Sequence, residues 1–394
     1  MILELCDIRA ADASRVGPKM ARLGALAAAG WRVPDGYAVT AGALSDWLPA
    51  AVRSELERLL SAPVPARGEP AGMPDLSGRP ALSAHSALSA LSARARELIE
   101  NQPLPAALSD AVAAAHERLE RRAQTAPAAN PAPGAGAPLR VAVRSSAVSE
   151  DGDGASFAGQ YETYLGVAGV PDVLRHIRKC WASGYSAHAL EYRRRFGGAA
   201  PLHAHDLAVG VVELVDARSA GVAFTLDPVT GDRGTLVVEA NWGFGESVVS
   251  GHVSPDHWTV DRDSGGIVTR RTGAKSSWSV FSPGAGRVVL EPAPADRAGR
   301  PCLTDDEVRH LCREATRIEE AAGGMPQDVE WVIARDLPFP DSVFILQHRP
   351  ETTWNASAAP DSAATAATEP APETAPGFDP VKYALRNVFK VPGA

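Results

Sequence analysis

The chain alternates between stretches of helical and of strand-like hydrophobic spacing. Near the start, Met20, Leu23, Leu26 and Ala27 recur at helical intervals, and Gly30 is a natural helix stop. This pattern predicts a helix over residues 18–29. Similar spacing predicts helices over residues 49–60, 105–122, 171–183 and 186–196.

Short apolar runs predict strands, and these are most frequent in the second half of the chain. A helix is also predicted from Thr304, because Glu307 completes a capping box there. The buried stripe of this helix is predicted to be Val308, Leu311, Ala315 and Ile318. The predicted strands cover residues 37–40, 139–143, 162–167, 207–215, 221–225, 235–240, 257–261, 267–271, 328–333 and 343–348.

Three stretches lack regular periodicity and mark the organisation of the chain. Residues 62–93 are rich in Ala, Ser, Pro and Gly, and are either a mobile insertion or a poorly packed helical region. Residues 126–138 form a low-complexity connector, and residues 356–377 a flexible, weakly acidic tether. The prediction is an α+β protein with mixed sheets in both halves. Its N-terminal part is residues 1–206, its C-terminal part residues 207–355, and a terminal segment follows at 378–394.

The terminal segment regains apolar spacing at Val381, Tyr383, Leu385 and Val388. Two interpretations remain open. It either docks onto another protein or is a terminal helix that packs on its own domain.

Composition narrows the class of protein. Hydrophobic residues make up 45% of the 394 residues, which is enough for a sizeable core, and the net charge is -8. That charge argues against a nucleic-acid partner held by a basic face. No apolar run is long enough to span a bilayer and the start lacks a secretory signal, so a cytoplasmic protein is expected. The four cysteines form no C-x-x-C pair, which favours reduced, structural thiols.

Two basic residues are candidates for phosphate binding. Lys19 follows Gly17-Pro18 at a helix start, where a cation and free backbone N–H groups can meet a phosphate. Arg144 ends an apolar strand, a position that often faces a cleft. The alternatives are an exposed surface lysine, and an arginine paired with Glu150 or Asp151 at the rim.

The last two predicted strands carry a further polar group. Alternation places Asp328 and Glu330 on one face of their strand, and Gln347 shares a face with Arg349 on the next. If the strands pair, Glu330, Gln347 and Arg349 converge. A carboxylate and an amide oxygen suit Mg²⁺, and an arginine suits a phosphoryl group. The alternative is a solvated sheet face with an ion pair.

Six ordered segments resemble the N-terminal nucleotide-binding domain of the phosphoenolpyruvate synthase and pyruvate phosphate dikinase family, which has an ATP-grasp fold. Together they cover nearly everything from residue 16 to 354. The segments begin at Lys19 (KMARLGALAAAGWRVPDGYAVT), Val141 (VAVRSSAVSEDGDGASFAGQYETYLGV), Cys180 (CWASGYSAHALEYR), Ser219 (SAGVAFTLDPVTGD), Val237 (VVEANWGFGESVVSGHVSPDHWTVD) and Pro326 (PQDVEW, then ILQHRPETTW).

The resemblance implies a fold of two α/β subdomains with ATP and Mg²⁺ between them, and it implies roles for individual residues. Lys19 and Arg144 match the phosphate-binding pair, and Arg349 matches the arginine that neutralises the transferring phosphates. The remaining implied roles fall to Gly159 and Thr163 in the phosphate-covering loop, Glu213, Leu214 and Val215 in the adenine-side strand, and Glu330 and Gln347 as metal ligands.

One departure from the family pattern lies at Gly17-Pro18-Lys19-Met20, where the family usually has Gly-Gly-Lys-Gly. Pro18 removes one N–H donor and restricts the loop, so an altered binding geometry is expected. Family members also continue into a swivelling domain with a phosphorylated histidine and a barrel for the acceptor. His85 and His188 do not resemble that histidine in context.

The sequence therefore predicts a phosphotransferase subunit that works with a separate histidine-bearing partner. It would transfer the β-phosphoryl of ATP to that histidine and release AMP and phosphate. Such a split resembles the phenylphosphate synthases, whose acceptor is phenol. Two alternatives remain: a non-catalytic nucleotide sensor, and a self-sufficient small-molecule kinase that forms ADP.

Overall fold

The computed structural model describes residues 1–61, 84–125, 138–148, 162–196, 207–251, 253–351 and 354. These residues form two compact units. The first unit comprises the described residues within Met1–Ala29, Asp35–Thr125 and Ala132–Leu214. The second comprises those within Gly30–Pro34 and Val215–Ala394. The predicted tether at 356–377 and terminal segment at 378–394 lie outside the described residues.

The first unit is built on a five-stranded sheet in the order β1-β2-β5-β3-β4, with every pair antiparallel. Its strands are β1 (Ile2–Glu4), β2 (Gly36–Val39), β3 (Arg140–Ala147), β4 (Thr163–Ala168) and β5 (Leu207–Glu213). Because β5 lies between β2 and β3, residues 207–213 belong to the first unit. The sequence-based boundary after residue 206 is wrong by this one strand.

Helices cover the apolar side chains of this sheet. Trp181 and Trp47 meet with ring centroids 5.2 Å apart, and the Trp181 indole N–H donates to the Leu207 carbonyl at 3.1 Å. The helices are α1 (Ala13–Ala28), α2 (Gly42–Trp47), α3 (Ala50–Leu60), α4 (Ala84–Glu100), α5 (Ala106–Thr125), α6 (Val170–Ser183) and α7 (Ala187–Phe196). Of the stretch 62–93, for which a mobile insertion and a helical region both remained open, residues 84–93 are helical, and residues 62–83 lie outside the described part.

The second unit contains a six-stranded sheet in the order β13-β12-β6-β7-β8-β9 and a separate hairpin, β10–β11. All strand pairs in both sheets and the hairpin are antiparallel, which corrects the expectation of mixed sheets. Its strands are β6 (Ala217–Phe224), β7 (Thr235–Trp242), β8 (Asp256–Asp261), β9 (Ile267–Arg271), β10 (Ser277–Ser282), β11 (Arg287–Pro292), β12 (Gln327–Ala334) and β13 (Val343–Pro350).

Three helices accompany this sheet: α8 (Glu246–Val249), α9 (Ala295–Ala298) and α10 (Asp305–Ala321). The predicted capping box of α10 is confirmed. Glu307 N–H donates to Thr304 Oγ1 at 3.3 Å, and Thr304 N–H donates to Glu307 Oε2 at 2.8 Å. The predicted stripe is also confirmed, since all four of its side chains are buried: Val308, Leu311, Ala315 and Ile318. Within the described residues, no helix is both long and apolar enough to cross a membrane.

A fully buried ion pair ties three segments of the second unit together. Lys275 Nζ lies 2.5 Å from Asp256 Oδ1, and both side chains are 0% exposed. Asp256 also accepts from the Gly273 N–H at 2.9 Å and from the Cys302 N–H at 2.8 Å. One carboxylate thus joins the start of β8, the segment before β10 and the approach to α10.

Replacing one partner of this pair should destabilise the protein strongly. Lys275→Met leaves a buried carboxylate without its counter-ion, and we expect the free energy of unfolding to fall by about 3 kcal/mol or more. The double variant Asp256→Asn, Lys275→Met should recover part of that loss. Urea denaturation measures both effects.

The matched control is the exposed ion pair between Arg270 and Asp305, whose atoms also lie 2.5 Å apart. Arg270→Met should change stability little, because water screens the charges there. Equal effects of Lys275→Met and Arg270→Met would contradict this account of the buried pair.

Candidate functional site

Helix α1 is interrupted at Gly17, which has φ 73° and ψ 159°. This left-handed conformation suits glycine, and the regular helix resumes with Pro18. Proline is favoured at the first helical position, because its missing N–H has no helical partner there. Pro18 therefore fits this helix start without breaking it, and Lys19 follows in the first turn.

The start of the regular helix packs against the end of β3. A Cβ built on Gly17 would lie 2.3 Å from Ser146 Oγ, so only glycine allows this approach. Met20 N–H donates to Ser146 Oγ at 3.4 Å. The Met20 side chain is buried and lies against Gly210. A Cβ built on Gly210 would be 2.3 Å from Met20 Sδ. The unexpected Met20 is thus a packing residue that fixes the helix turn carrying Lys19.

Arg144 lies in β3 two residues before Ser146. Its direct partners are Thr163 on β4 and Gly210 on β5. Arg144 is half-buried and Thr163 is exposed. The first unit therefore places Arg144 beside Thr163 at the end of β3 that also contacts the start of the regular helix. Gly159, predicted for the phosphate-covering loop, lies outside the described residues.

The predicted adenine-side strand begins at the end of β5. The Glu213 N–H donates to the Asp35 carbonyl at 2.8 Å, and the Leu214 N–H donates to the Arg140 carbonyl at 3.0 Å. Leu214 and Val215 are buried. Backbone pairing thus fixes this stretch up to the boundary between the two units.

Burial and, secondarily, the nearby Asp35 carboxylate raise the pKa of Glu213 to about 7, although the hydrogen bond with the Asp35 backbone and the charge of Arg122 oppose the shift. Arg122 Nε donates to Asp35 Oδ2 at 2.5 Å. Glu213 is therefore a carboxyl group that exchanges its proton near neutral pH.

In the second unit, the pairing of β12 with β13 determines the geometry of the polar candidates. Glu330 and Gln347 are direct partners, and Gln347 Nε2 donates to Glu330 Oε1 at 3.2 Å. The register shifts by one residue after this pair, so that Trp331 lies opposite Ile345. The structure thus brings together Glu330 and Gln347, two of the side chains predicted to converge.

Arg349 contacts Asp328, its direct partner on β12. Arg349 Nε donates to Asp328 Oδ2 at 2.8 Å, and Nη2 lies 2.7 Å from the same oxygen. Asp328 is 5% exposed, and burial raises the pKa of its carboxyl group although Arg349 opposes the shift. Asp328 was predicted on this face but not among the site residues. Its signal was the alternation that it shares with Glu330.

The adjacent Glu330 and Gln347 fit a magnesium ion that is bound mainly through a nucleotide. Mg²⁺ usually takes one or two protein oxygens and completes its shell with phosphate oxygens and water. With Gln347 Nε2 turned to Glu330, the amide oxygen and the second carboxylate oxygen are the ligands that this pair offers.

The raised pKa of Glu213 predicts a pH-dependent stability. The folded state holds this proton up to about pH 7, whereas an ordinary glutamate in the unfolded chain loses it near 4.5. Folding is therefore favoured below this window, and the free energy of unfolding falls as pH rises through it. Between pH 4 and pH 8, the free energy of unfolding of Glu213→Gln should rise by about 2–3 kcal/mol relative to that of wild type, as measured by urea denaturation.

The control for this series is Glu117→Gln, on the exposed side of α5. Its stability should follow the wild-type pH profile. Parallel profiles for Glu213→Gln and wild type would show that Glu213 does not carry the effect.

Comparison with known proteins gives a consistent result. Residues 13–369 match the family described as the pyruvate phosphate dikinase AMP/ATP-binding domain. A probable phosphoenolpyruvate synthase of Staphylothermus marinus is 34% identical over 374 residues, covering 90% of this chain and 41% of that protein. A rifampicin phosphotransferase of a Streptomyces species is 36% identical over 356 residues, covering 90% and 36%. A prodigiosin synthesizing transferase of Serratia marcescens is 34% identical over 353 residues, covering 90% and 33%.

The chain spans less than half the length of these curated relatives. The similarity nevertheless covers both units, including the start of α1, the end of β3 and the β12–β13 pair. The chain belongs to the pyruvate phosphate dikinase AMP/ATP-binding domain family.

Proposed function

We propose that this protein binds Mg-ATP and transfers the β-phosphoryl group to a histidine on a separate partner protein, with release of AMP and phosphate. The observation that carries the proposal is the β12–β13 pair, which places Glu330 beside Gln347 and Asp328 beside Arg349. Oxygen ligands for a hard cation and an oriented arginine are what phosphoryl transfer needs from a protein.

Each group has a distinct task in this proposal. Glu330 and Gln347 would hold Mg²⁺, which neutralises charge on the bridging phosphate oxygens when it is bound. Arg349, held by Asp328, would meet the negative charge of the transferring group. Lys19 and Arg144 would bind phosphate oxygens, and the stretch at Glu213 would lie beside adenine.

The partner and the final acceptor extend this proposal. Members of the family include proteins named for phosphoenolpyruvate synthesis and for rifampicin phosphorylation. The acceptor chemistry therefore varies among relatives, while the nucleotide domain is shared. A phenolic hydroxyl is our candidate final acceptor, because a split enzyme of this kind resembles the phenylphosphate synthases.

The test is the set of nucleotide products formed from Mg-ATP, separated by chromatography. The protein is incubated alone and with a candidate partner protein that carries a phosphohistidine domain, with and without phenol. AMP and phosphate are expected only when the partner is present. Arg349→Ala should lower AMP formation by about 10²–10³-fold, since it removes a group that stabilises charge in the transition state.

Arg287→Ala is the matched control, because Arg287 is exposed on β11 of the same unit. It should form AMP at the wild-type rate. ADP formed without a partner would instead identify an independent kinase. ATP binding without any turnover would identify a nucleotide sensor, and either result would overturn the proposal.

A further inference from the structure

A second polar pair lies on the same sheet face as Glu330 and Gln347. Direct partners across the sheet run from Gln347 to Glu330, then to Val222, Glu239 and His257. Residues directly opposite each other in antiparallel strands project from the same face. These five side chains therefore form one row across β13, β12, β6, β7 and β8.

The row includes the candidate metal ligands Glu330 and Gln347, and it lies away from the candidate adenine side. Strand β6 begins at Ala217, two residues after Val215, and Val222 is five residues further along it. At about 3.4 Å per residue, Val222 lies roughly 17 Å along the strand from Ala217. Glu239 lies two strands from Glu330, which corresponds to roughly 10 Å across the sheet. It is thus beside the position proposed for the phosphates.

Glu239 and His257 contact each other and remain partly accessible. His257 Nδ1 lies 3.2 Å from Glu239 Oε1, and the two side chains are 19% and 13% exposed. Val222 lies between this pair and the other polar end of the row, and it forms a buried apolar cluster with Phe224 and Val237. A carboxylate beside such an apolar surface interacts more strongly with a charge than one in bulk water.

We propose that Glu239 binds the N–H of the acceptor imidazole, with His257 as the residue that positions its carboxylate. This inference rests on the proposed function and names how the same site receives its acceptor. A neutral imidazole has one N–H and one nitrogen with a lone pair. A carboxylate that accepts the N–H selects the tautomer and directs the other nitrogen at the phosphate.

The transfer step needs no base to remove a proton. The free nitrogen forms a bond to the β-phosphorus, the bond from that phosphorus to the oxygen bridging the α-phosphorus breaks, and AMP leaves with the electron pair. Water then bonds to the γ-phosphorus, the bond from that phosphorus to the oxygen bridging the β-phosphorus breaks, and phosphate leaves while the electron pair stays on the oxygen of the phosphohistidine. The ring keeps its N–H proton and becomes positively charged, and the Glu239 carboxylate stabilises that charge.

The acceptor probe is imidazole itself, added to the full chain with Mg-ATP. Imidazole should increase AMP formation by the wild-type protein, and Glu239→Gln should reduce this increase by about 10²-fold. The affinity for Mg-ATP and the melting temperature should stay at wild-type values. Glu291→Gln, on exposed β11, is the matched control and should behave as wild type.

His257 variants distinguish positioning from simple structural support. His257→Asn keeps an N–H close to the place of Nδ1 and should retain most of the imidazole response. His257→Leu removes the contact with Glu239 and should reduce the imidazole response about tenfold, again with unchanged affinity for ATP. Equal behaviour of both variants would contradict the positioning role.

The outcomes separate this inference from the proposed function. If the partner protein supports AMP formation but Glu239→Gln matches wild type with imidazole and with the partner, the inference is wrong and the proposed function stands. If Glu239→Gln lowers ATP affinity or melting temperature together with activity, the pair is structural and the inference is again wrong. If imidazole does not increase wild-type AMP formation, the inference is overturned, whereas the proposed function is judged on the partner protein alone.

Discussion

The register between β12 and β13 is the constraint on which the candidate chemistry depends. It places Glu330 opposite Gln347 and Asp328 opposite Arg349, so a slip of one residue would send these side chains to the apolar face. The shift at Leu346 is part of this arrangement. Strict alternation would put Ile345 on the same face as Gln347, but the shift sets Ile345 opposite Trp331. One strand therefore contributes a buried isoleucine to the core and two polar side chains to the other face.

The first unit holds a cation, Lys19, at the start of a helix. Gly17 allows a turn that no other residue fits, because Ser146 lies where a Cβ would be. Pro18 then begins the regular helix, and Met20 anchors it against Gly210. The two residues that depart from the family's glycine-rich pattern are thus accommodated by local packing. Lys19, the residue retained from that pattern, occupies the turn that they hold in place.

Much of this could be predicted where a local pattern carries the information. The capping box of α10 and its buried stripe follow from short-range spacing, and alternation predicted which residues of β12 share a face. The hairpin β10–β11 was missed because nearly all of its side chains are half-buried or exposed, so it lacks the short buried apolar run that marks most of the other strands. Other features could not be predicted in this way. The pairing of β5 with β2 and β3 and the contact of Asp256 with Lys275 join residues that are distant in sequence, and the shift at Leu346 changes the phase of the alternation. No local periodicity indicates them.

In the proposed function, Glu330 is the residue through which Mg²⁺ strengthens nucleotide binding. The most direct measurement is calorimetric titration of ATP into wild type and Glu330→Gln, each with Mg²⁺ and with EDTA. Wild type should bind ATP about tenfold more tightly with Mg²⁺, a difference of about 1.4 kcal/mol, and Glu330→Gln should lose most of that difference. An unchanged magnesium dependence in Glu330→Gln would contradict the central claim.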